Sequence, residues 1–328
     1  MAFGAIRAKP QENLMTRKHV AFQMDPMETV NIDADTTFAL AETAQARGWT
    51  MWEYGPEHLA YNAGRITARA RPMTVQRDPK NPATFGPREL IDLETDIDVV
   101  WMRQDPPFDM SYITATHILE RLEGKTLVVN DPKWVRNCPE KILPLDYPDL
   151  MPATLITRNR ADIDAFRDEH KDIILKPLYG NGGAGIFRVR EGDPNYSSIY
   201  EMFMEVSREP IIAQAFLKDV SKGDKRILII DGEPVGAINR VPQPGETRSN
   251  MHVGGEARPT ELTEDDLRIC RAIGPMLKER GQILVGIDVI GDKMTEINIT
   301  SPTGVQELKR FSGVDAVSAC WDAIEGRV

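Results

Sequence analysis

The 328-residue sequence predicts an α/β domain built on a parallel sheet, followed by an α+β domain built from antiparallel pairs. Three observations predict it. Short apolar runs alternate with capped helical patterns from residue 19 to about 130, the signature of a parallel sheet covered by helices. Four prolines (Pro139, Pro144, Pro148 and Pro152) then interrupt the pattern and mark a boundary. Beyond them, apolar runs are separated by glycine turns, as in hairpins. The expected organisation is a disordered leader over 1–18, an α/β domain over 19–138 and a second domain over 139–328, which divides near residue 217.

In the first domain, His19 to Met24 is a strand and Asp35 caps a helix that runs to Arg47, with Gly48 just past its end. Thr50 to Tyr54 is a strand, the stretch Arg77 to Arg88 is polar connection, and Ile97 to Met102 is a buried strand. Ser111 caps a helix ending at Gly124, and Thr126 to Asn130 is extended. The loop Met24-Asp25-Pro26-Met27 carries no glycine cluster, so it offers a dinucleotide no cradle. Met102-Arg103-Gln104-Asp105 lies at the carboxyl end of a strand, where ligands of open α/β sheets bind; a rigid proline turn is the alternative.

In the second domain, Ile173 to Pro177 and Ile186 to Val189 are strands, Tyr196 to Val206 a helix and Ile211 to Phe216 a strand. Hairpins turn at Gly232 and between Ile290 and Met294, Thr263-Glu-Asp-Asp266 opens a helix with a capping box, and a last helix runs from Ser312 to Ile324.

The formal charge of −10 excludes a body that binds nucleic acid or anionic lipid over its general surface. Cys138, Cys270 and Cys320 have no metal spacing and read as reduced, buried thiols of a cytoplasmic protein; no stretch is long and apolar enough for a membrane helix.

Lys176-Pro-Leu-Tyr-Gly180-Asn-Gly182-Gly183-Ala-Gly185 formally satisfies G-x-G-x-x-G, but a strand follows it where a dinucleotide fold needs a helix. A glycine loop between antiparallel strands is either a flap whose N–H groups close over phosphate, with Lys176 beside it, or an ordinary hairpin. Glu296 and Asn298 are two apart and share one face of a strand; with Asp288 they make an oxygen set suited to Mg²⁺, or else the wet side of a half-exposed hairpin. Asp288 faces Glu296 only if paired residues sum to 584, which predicts an odd-numbered loop centred on Asp292. Lys225, Arg226 and Arg248 are candidates for binding anions. The stretch Asn239 to Glu256 is a candidate lid.

From about His19 onward the chain resembles prokaryotic-type glutathione synthetase, of the ATP-grasp superfamily. The resemblance rests on Met24-Asp25-Pro26, Arg103-Gln-Asp-Pro-Pro-Phe-Asp109, Ile173-Ile-Leu-Lys-Pro-Leu178, Gly223-Asp-Lys-Arg226, Gly245-Glu-Thr-Arg248 and Thr295-Glu-Ile-Asn-Ile-Thr-Ser-Pro-Thr303. It implies an ATP-grasp fold preceded by a Rossmann-like (pre-ATP-grasp) domain. It implies ATP-dependent ligation of γ-glutamylcysteine to glycine through an acyl-phosphate, with Mg²⁺ or Mn²⁺ as cofactor, in a homo-oligomer (dimer or tetramer). By the same resemblance Lys141 and Lys176 clamp the phosphates under Gly182 and Gly183, and Gln214, Ala215, Phe216, Leu217 and Asp224 complete the ATP site. Asp288, Glu296 and Asn298 hold metal. Arg103, Asp105, Arg226, Arg248, Ser301, Thr303 and Gly304 receive substrate, and Arg226 and Lys176 act in catalysis. Two rivals are another ATP-grasp carboxylate–amine ligase and a non-catalytic nucleotide-binding regulator.

Overall fold

The computed structural model describes residues 18–328 except 244, 247 and 250–253; the expected leader up to Arg17, and Pro244, Thr247 and Asn250 to Val253 of the candidate lid, therefore lie outside the described residues. Three sheets follow one another along the chain.

The first sheet holds β1 (His19–Gln23), β2 (Thr50–Tyr54), β3 (Leu59–Asn62), β4 (Arg65–Val75), β5 (Ala83–Phe85), β6 (Glu89–Asp92), β7 (Val99–Met102) and β8 (Leu127–Val129). Strands β2, β1, β7 and β8 are mutually parallel, as the alternation of strands and helices predicts. The stretch Arg77 to Arg88, expected as polar connection, holds a short strand, β5. Strands β3 to β6 are all antiparallel to their neighbours, and β4 buries Ile66, Thr67, Ala68, Ala70, Met73 and Val75. Helix α1 (Thr36–Ala46) is capped by Asp35 as expected, its carboxylate accepting from Phe38 N at 2.6 Å. Helix α2 (Met110–Leu119) is capped by Asp109 and not by Ser111, and α3 (Pro132–Asn137) by Asp131.

The second sheet, in the order β11-β10-β12-β9, comprises β9 (Thr154–Thr157), β10 (Ile173–Pro177), β11 (Phe187–Val189) and β12 (Ile211–Ala215), backed by α4 (Arg160–His170) and α5 (Tyr196–Val206). Alternation sends Ile173, Leu175, Ile211 and Ala213 into the core under those helices, which leaves Ile174, Lys176 and Gln214 on the other face.

The third sheet runs β15-β14-β13-β16-β17, with β13 (Asp224–Ile230), β14 (Glu233–Val241), β15 (Glu256–Pro259), β16 (Leu284–Ile290) and β17 (Lys293–Asn298). Helix α6 (Glu264–Glu279) opens with the predicted capping box and covers one face through Ile269, Ile273 and Leu277, which meet Ile227, Val285, Ile287 and Ile297. The opposite face carries Leu228, Ile230 and Leu284 into a core shared with the first sheet. The expected C-terminal helix from about Ser312 to Ile324 is α8 (Ala316–Glu325), and a further helix, α7 (Val305–Ser312), precedes it, with Gly313 at φ 75° between the two. Asp315 caps α8. Helix α8 returns to the first sheet, where buried Trp321 donates its Nε1–H to Leu40 O (3.0 Å).

Asn130, at the end of β8, donates to both Leu284 O and Ile299 O (2.8 Å each) and accepts from Leu284 N. The first sheet is thereby fixed against the strands that carry Asp288 and Glu296. Among the described residues no helix is long and apolar enough to cross a membrane. Cys138, Cys270 and Cys320 are free and buried.

Candidate active site

A cavity with about 840 Å³ of empty space, its open mouth included, lies between the second and third sheets. The glycine loop roofs it. Gly182 and Gly183 have φ of 61° and 80°, and β10 and β11 on either side are antiparallel, the arrangement the flap reading requires. Gly180 is there for a different reason: a Cβ on it would sit 2.4 Å from Pro177 Cγ.

At one end the walls are apolar: Ile174, Ala215, Phe216, Leu217, Val220 and Ile290. Gln214 stands among them, its amide held by donation to Thr154 Oγ1 (2.8 Å). This end suits a planar heterocycle. The other end is charged. Lys141 and Lys176, 8% and 5% exposed, bring their Nζ atoms to 3.4 and 3.9 Å from Glu296 Oε1, and Lys141 also donates to Gly180 O in the flap. Burial lowers the Lys176 pKa and Glu296 pulls it back up, so a further anion would be welcome between the two ammonium groups. The proline-bearing segment positions Lys141 as two short 3₁₀ turns, Leu143–Asp146 and Pro148–Leu150, without a long helix.

Asp288 faces Glu296 across β16 and β17, but the loop is not odd-numbered. Gly291 and Asp292 form a two-residue turn, and an irregularity after Asp288 leaves Thr295 as the extra residue that restores the parity. Thr295 Oγ1 donates to Asp288 O (3.3 Å). The β13–β14 hairpin is built the same way. Asp231 and Gly232, at φ 50° and 88°, make the turn, and a shift after Leu228 brings Arg240 opposite Asp224.

The result is a buried charge network that sequence reasoning missed in part. Arg226 grips Asp288 with Nε and Nη2 (2.6 and 3.2 Å), and Arg240 bridges Asp288 and Asp224 (3.0 and 2.6 Å). Burial alone would raise the Asp288 pKa, but the two arginines hold it well below the ordinary carboxylate range. Asp224 is pushed up to about 6 by burial, against the pull of Arg240. Arg226, expected to receive substrate, is engaged by Asp288 and by Thr303 O (3.2 Å). Lys225 also departs from expectation: next to Arg226 on the strand, it points the other way and pairs with Asp266. Arg240 had no local signal, because its partner is chosen by the bulge.

The oxygen set suits a hard divalent cation in part. Asp288 and Glu296 line the cavity, and Asn298 shares the strand face with Glu296, its Nδ2 donating to Gly286 O (3.1 Å) so that Oδ1 is its acceptor. Asp288 would have to be shared between metal and two arginines. Arg248 and Asp224 also line the cavity, Arg248 paired with Glu246 of its own loop. Asn239 and Val241, at the start of the candidate lid, belong to β14.

The remaining candidates gather at the turn after β17. Arg103 Nη2 donates to Pro302 O (3.3 Å), Ser301 Oγ donates to Gln104 O (2.9 Å), and Arg226 holds Thr303 O from the other side. Gly304, at φ 113°, opens α7 where a Cβ would crowd Ile238 at 3.2 Å. Arg103 is 4% exposed, yet its Nη1 has no partner, so a buried guanidinium nitrogen is left for a ligand. The main chain of Asp105 is held by Asp25, whose carboxylate accepts from Asp105 N (2.8 Å).

Residues 19–136 match the family model described as "Prokaryotic glutathione synthetase, N-terminal domain", and residues 140–313 match "Prokaryotic glutathione synthetase, ATP-grasp domain". The chain belongs to the prokaryotic glutathione synthetase family. Within the family it is 58% identical to a glutathione synthetase of Mesorhizobium japonicum over 94% of this chain and 98% of the relative. It is 57% identical to that of Agrobacterium fabrum, over 94% and 96%. The fold is also that of solved structures of low identity. A D-cycloserine synthetase matches with TM-score 0.65 at 15% identity, over 94% of this chain and 99% of that one. The ATP-grasp ligase PsnB, in complex with a minimal precursor, matches with TM-score 0.61 at 16% identity, over 96% and 100%. The glutathione synthetase family thus supplies an ATP-grasp frame for the cavity described above.

Proposed function

We propose that this chain joins the cysteinyl carboxylate of γ-glutamylcysteine to the amine of glycine at the expense of ATP, giving glutathione, ADP and phosphate. The observation that carries the reading is the pairing of two buried lysines with Glu296 beneath a glycine flap, in a chain at 57–58% identity to named glutathione synthetases.

ATP lies with its adenine among Ile174, Phe216, Leu217 and Gln214, and its phosphates between the flap N–H groups, Lys141 and Lys176. Asp288, Glu296 and Asn298 would hold Mg²⁺ or Mn²⁺, which neutralises charge on phosphate oxygens when bound. The lysines stabilise the γ-phosphoryl group as it passes to the dipeptide carboxylate, and they do so from a site where charge interactions are strengthened by burial. Arg103 and the Ser301 to Gly304 turn hold the dipeptide, with Arg226 acting through Asp288 as a positioning residue. The glycine nitrogen then forms the C–N bond, the C–O bond to phosphate breaks, phosphate leaves with the electron pair, and the amine gives up a proton. The flap excludes water that would hydrolyse the acyl-phosphate. The partners are small molecules: the cavity is enclosed by the flap, and a body of net charge −10 does not favour nucleic acid.

The experiment is a coupled ADP assay with mass analysis of the product, omitting ATP, dipeptide or glycine in turn and then exchanging glycine for other amines. ADP release that requires all three components and yields glutathione is expected. A better turnover with another amine would assign a different carboxylate–amine ligase, and ATP binding without turnover a regulator.

A further inference from the structure

A second, smaller cavity with about 380 Å³ of empty space opens beside the first and shares Lys141, Gly180 and Asn181 with it. Its walls are apolar on one side, with Phe108 from the first domain stacked on Tyr179 of the flap at 6.2 Å between ring centroids; Lys141, Asn181 and Thr300 line the other, and its one acidic side chain is Glu140.

Glu140 is held firmly. Its main-chain O accepts from Ile297 N (3.0 Å), and its Oε1 accepts from Thr300 Oγ1 and N (2.6 and 3.3 Å). Both contacts fix it to the strand end that carries Glu296 and Asn298. No hydrogen-bond donor among the described residues meets Oε2, and no lysine, arginine or histidine among them lies within ion-pair distance of the carboxylate. A carboxylate drawn into the protein costs free energy unless a cation complements it. Burial raises the Glu140 pKa, opposed by the Thr300 hydroxyl and by the more distant Lys141. Tyr112, 1% exposed, packs behind Phe108 with a hydroxyl that has no partner, close enough to Glu140 to feel its charge.

Resting on the ligase reading above, we propose that this cavity is an amino-acid subsite in which Glu140 receives a primary ammonium group of the substrate. The cavity adjoins the phosphate end, where the acyl-phosphate must meet an amine, and its small apolar walls suit a compact amino-acid backbone. Two substrate groups have the required chemistry: the amine of glycine and the α-ammonium of the glutamyl residue. Loss of one charge-assisted hydrogen bond corresponds to a change of about tenfold or more in affinity.

The test is Glu140→Gln, which keeps an oxygen for Thr300 but removes the charge, assayed with each substrate varied and with melting temperature measured alongside. The expected result is a rise of about tenfold or more in KM for one amino-acid substrate, with KM for ATP moving less than about twofold and melting temperature maintained. A rise confined to glycine identifies the acceptor amine, and a rise confined to the dipeptide identifies the glutamyl ammonium. Unchanged KM for both, or a parallel rise in all three KM values with a lower melting temperature, overturns the proposal in favour of a structural role. Wild-type turnover is measured first: its absence overturns the ligase reading and this subsite with it, whereas turnover with an indifferent variant overturns the subsite alone.

Discussion

Glu296→Ala is expected to lower kcat for ligation by about 10³-fold or more at saturating ATP and Mg²⁺. Among the described residues Glu296 Oε1 is the only carboxylate oxygen within ion-pair distance of both phosphate-site lysines, at 3.4 Å from Lys141 and 3.9 Å from Lys176. Its removal leaves two buried ammonium groups facing one another. Burial already depresses the Lys176 pKa, and the loss of Glu296 depresses it further, so positive charge is shed where phosphate needs it. It also takes away one of the proposed metal oxygens. Glu296→Gln keeps the volume and is expected to lose nearly as much, because charge is the property in use. Turnover of either variant within about threefold of wild type would contradict this assignment.

Arg226→Ala is the second large effect, and its first readout is stability. The guanidinium makes a two-point bond to Asp288 and both partners are buried, so truncation strands a carboxylate in the protein interior. Breaking such a pair costs about 3–5 kcal/mol, and the remaining contact to Arg240 places the expected loss at the low end, about 3 kcal/mol. The pH dependence has a definite sign. The Asp288 pKa is depressed in the folded state from its ordinary 3.8, so its stabilising contribution is present above that value and is lost as pH falls below it. Denaturant titrations at pH 7 and at about pH 3 should therefore separate wild type and variant more widely at pH 7. An equal difference at both values would show that the ion pair contributes nothing.

The two hairpins show how much of this was legible in the chain. Their strands, the glycines at their turns and the shared face of Glu296 and Asn298 follow from alternation and turn chemistry. The bulges at Val235 and Thr295 do not, because neither residue differs in kind from its neighbours. Yet each bulge decides a face: without Thr295, a two-residue turn would send Glu296 away from Asp288, and without Val235, Arg240 would miss Asp224. Parity could be stated as a condition from sequence, but the way it is met could not. Lys141 and Glu140 lie in a segment without periodicity, and their place is set by one main-chain bond to β17, 157 positions later in the pairing of Glu140 O with Ile297 N. The flap was legible because a glycine run between two strand-forming stretches admits few structures. Helix α7 was not, since Gly304 at its start offers no side-chain cap.

The central claim is that phosphate is gripped beneath the flap by Lys141 and Lys176, opposite the strands that carry Asp288 and Glu296, while the adenine end binds independently. Calorimetric titration of ATP and of adenosine into wild type and into a Lys141→Ala/Lys176→Ala double variant, with Mg²⁺ present, tests it most directly. The expected result is an ATP affinity reduced by about 100-fold or more in the variant, with adenosine affinity maintained. ATP affinity that survives the double substitution would contradict the claim.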